Sequence, residues 1–185
     1  MTAPVLEVRD LATHFATKAG VVKAVDGVSF ALARGEVLGL VGESGSGKSV
    51  TGFSLLGLVD PPGRIVRGSI RLEGAELVGL PRADLRKVRG ARIAMVFQDP
   101  MMTLNPVLSI ATQMGLAIQA HRRMPQGQAR ALMVDVLTRV GIPDPASRLD
   151  AFPHQFSGGM RQRVAIATAL LHDPAVIVAD EPTTA

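Results

Sequence analysis

The chain has 185 residues, 47% of them apolar, a formal net charge of +4 and no cysteine. That suffices for one domain with a sizeable core, or a core with a small appended subdomain, and it excludes a disordered chain, disulfides, thiolate metal sites and cysteine nucleophiles. No apolar run approaches a transmembrane helix, no signal peptide opens the sequence, and the scattered arginines, without Trp or Tyr, form no pattern that reads a nucleic acid.

Val5 to Val8 alternates weakly and predicts an edge strand. His14-Phe15 follows, and the Phe15 ring could either pack at the sheet edge or stack on an adenine. Lys23 to Leu32 predicts a second strand, turning at Arg34-Gly35-Glu36. Val37-Leu38-Gly39-Leu40-Val41 is a short apolar run, as expected of a buried parallel strand. It leads into Gly42-Glu43-Ser44-Gly45-Ser46-Gly47-Lys48-Ser49, which fits the P-loop pattern. Glycines there let backbone N–H groups curl around phosphate oxygens, and a helix beginning near Lys48 adds its partial positive charge. Lys48 would reach the β- and γ-phosphates and the Ser49 hydroxyl would bind Mg²⁺. Val50 to Leu58 predicts the apolar helix that follows.

Asp60-Pro61-Pro62-Gly63 breaks the chain. Gly68 to Gly74 predicts a strand, and Pro81 to Val88 a short polar helix with Pro in its first turn. Arg92 to Phe97 predicts the next strand, ending on Gln98-Asp99-Pro100. A polar side chain at the carboxyl end of a sheet strand sits where α/β ligands bind, so Gln98 could reach a metal or a water, or be a loop amide. Residues 106–140 read as helical with a break at Met124-Pro125; Met114, Leu116 and Ile118 supply the apolar surface of the first helix.

Ser157 is a good N-cap for a helix running to about Leu171. Gly158 and Gly159 in its first turn weaken the helix but expose N–H groups that can hold an anion. Asp173-Pro174 stops this helix. Ala175 to Ala179 predicts a buried strand that ends on Asp180-Glu181, the Walker B arrangement. Asp180 would hold Mg²⁺ and Glu181 would act as general base on the attacking water.

With these motifs in order, the sequence from residue 5 to residue 185 resembles the nucleotide-binding subunits of ABC transporters. Gly42–Ser49 is similar to Walker A, Gln98 to the Q-loop glutamine, Ser157-Gly158-Gly159-Met160 to the signature motif and Val176–Asp180 to Walker B. Within the family, the stretches Val96-Phe97-Gln98-Asp99-Pro100-Met101 and Phe152-Pro153-His154-Gln155-Phe156 resemble oligopeptide and dipeptide importers. The interval of 59 residues from Gln98 to Ser157 suits a compact helical subdomain and is far too short for the coiled coil of repair ATPases.

The resemblance implies an α/β P-loop NTPase fold of ABC type, with a mixed sheet core, an antiparallel β edge and an inserted helical subdomain. Residues 1–100 and 173–185 would form the RecA-like core and about 101–172 the helical subdomain. ATP would be bound by Phe15 against adenine, Gly42, Glu43, Ser44, Gly45, Ser46, Gly47, Lys48, Ser49 and Val50. Ser157, Gly158, Gly159 and Met160 would cap the ATP of a partner subunit. Glu181, Lys48 and Gln98 would serve catalysis, and Ser49, Gln98 and Asp180 would hold Mg²⁺.

The implied partners are a second nucleotide-binding subunit, identical or not, membrane permease subunits and, indirectly, a solute-binding protein; no nucleic acid is implied. The implied place is the cytoplasmic face of the inner membrane, as a peripheral subunit. The family pattern continues past Thr184-Ala185 into a D-loop and a switch histidine, so the expected fold is incomplete at its C-terminus. This leaves as alternatives an inactive nucleotide-binding or interaction module and a soluble ABC ATPase. The solute could be a peptide, nickel or a related small molecule.

Overall fold

The computed structural model describes residues 3–99 and 103–181. Pro100 and Met101, which carry part of the importer-like pattern, and residues 182–185 lie outside the described residues. The chain divides into two compact units, Met1–Arg89 and Gly90–Ala185.

The first unit is built on an antiparallel sheet of strands β1 (Leu6–Thr17), β2 (Gly20–Leu32), β3 (Gly63–Leu72) and β4 (Ala75–Glu76), in the order β2-β1-β3-β4. The expected edge strand at Val5–Val8 is thus the start of a long central strand with β2 on one side and β3 on the other. A bulge hides this from the sequence. Asp10 adopts a left-handed φ of 47°, and the register with both neighbours shifts around it. Beyond the bulge Leu11, Ala12 and Thr13 are all buried, so simple alternation ends. Polar contacts fix the irregularity: the Asp10 N–H donates to Ser29 Oγ at 2.7 Å, and Arg67 Nε lies 2.6 Å from Asp10 Oδ2.

Helix α1 (Lys48–Leu55) packs on β1 and β2, burying Thr51, Gly52, Ser54 and Leu55. A buried hydroxyl pair, Thr13 Oγ1 and Ser54 Oγ at 2.8 Å, joins helix to sheet and satisfies both groups away from water. Helix α2 (Arg82–Val88) follows Pro81, as the sequence predicts. The expected buried strand Val37–Val41 is not formed. Val37 is 95% and Val41 90% exposed. Strand geometry persists only where backbone groups find ladder partners, and among the described residues this run has none.

In the second unit β5 (Ile93–Val96) and β6 (Val176–Ala179) pair in parallel, with Ile93 opposite Val176 and Val96 opposite Ala179. The predicted helical stretch resolves into α3 (Ile110–Gln119) and α4 (Gln126–Arg139), interrupted at Met124-Pro125. Ser109 caps α3 by accepting from the Thr112 N–H, and Pro125 precedes the first turn of α4. Ile110, Met114 and Ile118, four residues apart, form the buried stripe of α3. Leu116, expected in that stripe, falls on the opposite side and is 56% exposed.

Met133, Val136 and Leu137 of α4 complete the same core. They are joined by Leu149 after α5 (Pro145–Arg148), Phe156, and Val164 and Ala167 of α6 (Gly158–Leu170).

His172 lies just past α6 and is buried. Its Nε2 is 3.0 Å from the Ala117 carbonyl oxygen, so Nε2 carries the proton, while Nδ1 has no hydrogen-bond partner. His121 meets its ring edge-on at a centroid distance of 4.9 Å, and Arg122 Nη2 donates to the His172 carbonyl. Burial holds the His172 pKa below the ordinary histidine value; the Ala117 bond opposes this, and His121 and Arg122 add to the lowering. The unfolded chain takes up a proton at this residue below about pH 6.5, before the folded chain does. The contribution of His172 to stability is therefore complete above that pH and declines as pH falls toward the lowered native value. A thermal-unfolding series from about pH 8 to about pH 5 is expected to show a shallower acid decline for His172→Gln than for the parent. Identical declines would contradict the assignment.

Candidate functional site

The loop from Gly42 to Lys48 owes its shape to its glycines. Gly45 and Gly47 have φ of 79° and 93°. At Gly47 there is also no room: a Cβ would lie 2.1 Å from the Ala24 carbonyl oxygen of β2. A Cβ at Gly42 would lie 2.6 Å from Ser46 Oγ. The Ser46 N–H donates to the Glu43 carbonyl at 3.2 Å and closes the turn. Lys48 Nζ curls back and donates to the carbonyls of Gly42 and Glu43, both at 2.8 Å.

The Thr51 N–H and hydroxyl both reach the Gly47 carbonyl, at 2.8 and 2.9 Å, and the Ser54 hydroxyl reaches the Val50 carbonyl at 2.7 Å. No side chain caps the N-terminus of α1. Its first N–H groups, the ammonium and the Ser49 hydroxyl thus lie together on one segment, a combination suited to a polyphosphate. Phe15 lies on β1 opposite Val22 and Gly63; its ring fills the space over Gly63, where a Cβ would come within 2.5 Å of it.

In the second unit the parallel ladder continues past β6, the Asp180 N–H donating to the Val96 carbonyl at 2.9 Å. This aligns the carboxyl ends of β5 and β6. Gln98 Nε2 donates to Glu181 Oε2 at 2.6 Å, so the amide after one strand grips the carboxylate after the other. Glu181 has a left-handed φ of 46°, which for a non-glycine residue stores on the order of 1 kcal/mol of strain.

Ser157 caps α6, its Oγ accepting from the Met160 N–H at 3.3 Å. Gly158 and Gly159 are exposed, and added Cβ atoms there would touch nothing. Arg161 and Arg163 hold backbone, donating to the Pro153 and Gly141 carbonyls.

Of the residues singled out from sequence, Phe15 and Gly42–Val50 lie in the first unit, and Gln98, Ser157–Met160, Asp180 and Glu181 in the second. The pairing of Gln98 with Glu181 is the contact the sequence reading missed. The signal was available: two apolar strands each ending on a polar residue bring those residues together once the strands pair in parallel.

The expected metal donors are all oxygens: the Ser49 hydroxyl, the Gln98 amide oxygen and the Asp180 carboxylate. Among the described residues no cluster of three or more His, Cys, Asp or Glu forms a self-sufficient metal centre. That donor chemistry fits Mg²⁺, which keeps several waters and takes one or two protein ligands alongside phosphate oxygens.

A glycine loop opening a helix, in a chain whose parallel strands end in an amide and an acidic pair, places the chain in the P-loop class of folds. The family model for ABC transporters matches residues 25–184, and the chain belongs to that family. It is 52% identical over 184 residues to a protein of Brucella abortus (strain 2308) provisionally named a peptide import ATP-binding protein, covering 100% of this chain and 55% of that one. It is 46% identical over 180 residues to the dipeptide transport ATP-binding protein DppD of Escherichia coli (strain K12), covering 97% of this chain and 55% of that one. The chain thus spans about half the length of these relatives. The dimeric post-hydrolysis structure of the ATP-binding cassette MJ0796, bound to ADP and Pi, superposes with a TM-score of 0.85 at 27% identity. That match covers 97% of this chain and 75% of that one.

The steric exclusion of a side chain at Gly47 is open to measurement. Gly47→Ala is expected to destabilise the first unit by roughly 3 kcal/mol, combining left-handed strain with a backbone clash. Gly74→Ala, with φ of 83° and nothing near an added Cβ, should cost only about 1 kcal/mol for strain alone. Denaturant midpoints for the two variants compare them directly; equal midpoints would refute the clash.

Proposed function

We propose that this chain is the ATP-binding, ATP-hydrolysing part of a subunit that powers an ABC importer for peptides, with nickel and related small solutes as the neighbouring class. The observation that carries the nucleotide reading is the folded loop 42–49, with Lys48 held at its mouth by two carbonyls. The names of the relatives support the peptide class. In this reading residues 1–100 and 173–185 belong to the RecA-like core and about 101–172 to the helical subdomain. The subunit works at the cytoplasmic face of the membrane; among the described residues no helix is long and apolar enough to cross it.

Lys48 exchanges its carbonyl partners for β- and γ-phosphate oxygens, and the first N–H groups of α1 close on the same phosphates. Phe15 covers the adenine. Ser49, Asp180 and the Gln98 amide oxygen are the residues that would hold Mg²⁺, which would supply charge neutralisation at the phosphates when bound. Glu181 takes the proton of the attacking water, with Gln98 restraining its carboxylate. Ser157, Gly158, Gly159 and Met160 cap the nucleotide of a second subunit facing head to tail, as the dimeric state of the similar MJ0796 cassette suggests. A reading as a nucleotide-binding module without turnover is favoured by one observation, the exposed run Val37–Val41 ahead of the loop.

The helical subdomain is the proposed contact for the permease. A groove of about 520 Å³ between α3 and α4 is lined by Leu116, Gln119, Met124 and Met133 among others. Single cysteines at Leu116 or Gln119, in a chain that has none of its own, are expected to crosslink to a cysteine on a cytoplasmic loop of the cognate permease. No crosslink from any position lining the groove, in a competent transporter, would count against this contact.

Nucleotide binding is tested by titrating MgATP calorimetrically into the parent and Lys48→Ala. Loss of the charge-assisted bonds should weaken binding about 10–100-fold. Where steady turnover is measured, Glu181→Gln should retain ATP binding and lower kcat by about 10²–10⁴. An unchanged Kd in the first variant, or an unchanged kcat in the second, would overturn the role of that residue.

A further inference from the structure

We propose that Arg89, which belongs to none of the motifs described above, is a positioning residue for nucleotide binding. It acts by clamping the far end of the P-loop helix, and the inference rests on the nucleotide reading of loop 42–49.

Helix α1 ends in a Schellman motif. Gly57 is left-handed, with φ of 62°; its N–H donates to the Ser54 carbonyl at 3.0 Å, and the Leu58 N–H donates to the Phe53 carbonyl at 2.8 Å. These bonds satisfy the Phe53 and Ser54 carbonyls but not those of Leu56 and Gly57 beyond them. Arg89 takes both. Its Nε donates to the Leu56 carbonyl at 2.5 Å, and its Nη2 donates to the Gly57 carbonyl. A planar guanidinium can present two parallel N–H groups to adjacent carbonyls; a lysine ammonium cannot reproduce that fork.

Arg89 is itself well held. It caps α2, its own N–H donating to the Leu85 carbonyl at 2.9 Å. The joint is close-packed as well: a Cβ on Gly57 would lie 3.0 Å from Leu85 Cδ1 and 3.1 Å from Arg89 Nη2. The end of α1 is therefore fixed to the end of α2 by hydrogen bonds and by contact.

The consequence for the ligand follows from the size of α1. The helix has eight residues, so it spans only about 12 Å from the loop to the clamp. It has no side-chain cap at its start and no basic residue in its own last turn. Arg89 supplies the positive charge that complements the carboxyl end of the helix dipole. At that distance, and partly exposed, it attracts a phosphate little through space. Its effect is to hold the helix axis. A short rod pivoting at a loosened far end moves the N–H groups of Lys48 and Ser49, and several N–H···phosphate bonds lengthen together.

The test is MgADP binding by calorimetry to the 185-residue chain, for the parent, Arg89→Ala and Arg89→Lys. It is run at a temperature where circular dichroism shows all three folded. Arg89→Ala is expected to lose about 10-fold in affinity, and Arg89→Lys, which keeps the charge without the fork, about 3-fold. A residue that merely stabilises the fold would lower the unfolding midpoint and leave the affinity of the folded protein unchanged. Parent affinity in folded Arg89→Ala overturns the proposal. If Arg89→Ala does not fold, Arg89→Lys decides: reduced affinity in a folded chain supports the clamp, and parent affinity overturns it. A parent chain that binds no MgADP overturns the nucleotide reading and this inference together, so the two failures are told apart.

Discussion

The first unit depends on one close contact, that of Gly47 with the backbone of β2. A carbonyl oxygen 2.1 Å from where a side chain would begin leaves glycine as the only residue that fits. With the loop pressed onto the strand, α1 must start at Lys48 and run across the sheet. Its inner face then meets β1, where Thr13 and Ser54 bury a hydroxyl each and satisfy one another. A misplaced helix would leave the Thr13 hydroxyl buried and unpaired, at a cost of about 1–3 kcal/mol, while Ser54 would keep its bond to the Val50 carbonyl. Steric exclusion at one end and polar satisfaction in the middle therefore select the same placement. The bulge at Asp10 belongs to this arrangement, since Leu11, Ala12 and Thr13 beyond it are all buried and Thr13 meets the helix at Ser54.

The second unit obeys a different constraint. Parallel strands cannot be joined by a tight turn, so the chain between β5 and β6 has to make a long excursion. Here that excursion is the helical layer, with Ile110, Met114 and Ile118 of α3 packed against Met133, Val136 and Leu137 of α4 and against Val164 and Ala167 of α6. The excursion returns in register. Val96 stands opposite Ala179, and one further ladder bond from Asp180 carries the alignment to the residues after the strands. Gln98 and Glu181, separated by 83 positions, meet because the two strands end level.

What the sequence made legible follows from how local each signal is. The P-loop was legible because its glycines, lysine and serine are consecutive and each answers to phosphate chemistry. The break at Met124-Pro125 was legible because proline is a local punctuator, and the Ser157 cap because capping spans three residues. The centrality of β1 was not legible, because a single left-handed residue at Asp10 resets the period on which strand reading relies. The burial of Leu116 was misjudged because apolar character says nothing of azimuth; two positions from Met114 on a helix is nearly the opposite face. Val37–Val41 has the composition of a buried strand, yet composition supplies no ladder partner. The contact of Gln98 with Glu181 needed a pairing that only the fold provides.

The groups with the clearest chemistry are all engaged. Lys48 donates to two neutral carbonyls, and Gln98 binds a carboxylate through an uncharged amide. Each of these contacts joins a charge to a dipole. In the proposed complex the lysine would exchange carbonyl dipoles for phosphate charge, and an ammonium is drawn to a full opposite charge more strongly than to a dipole at the same distance. The internal partners are therefore strong enough to hold Lys48 and Glu181 in one geometry and weak enough to be displaced. The carbonyls that hold Lys48 belong to Gly42 and Glu43 of the same loop, so the ammonium stays within the loop before any ligand arrives. The entropy of ordering a long side chain is then largely met in folding rather than in binding, and the strain held at Glu181 is met there too.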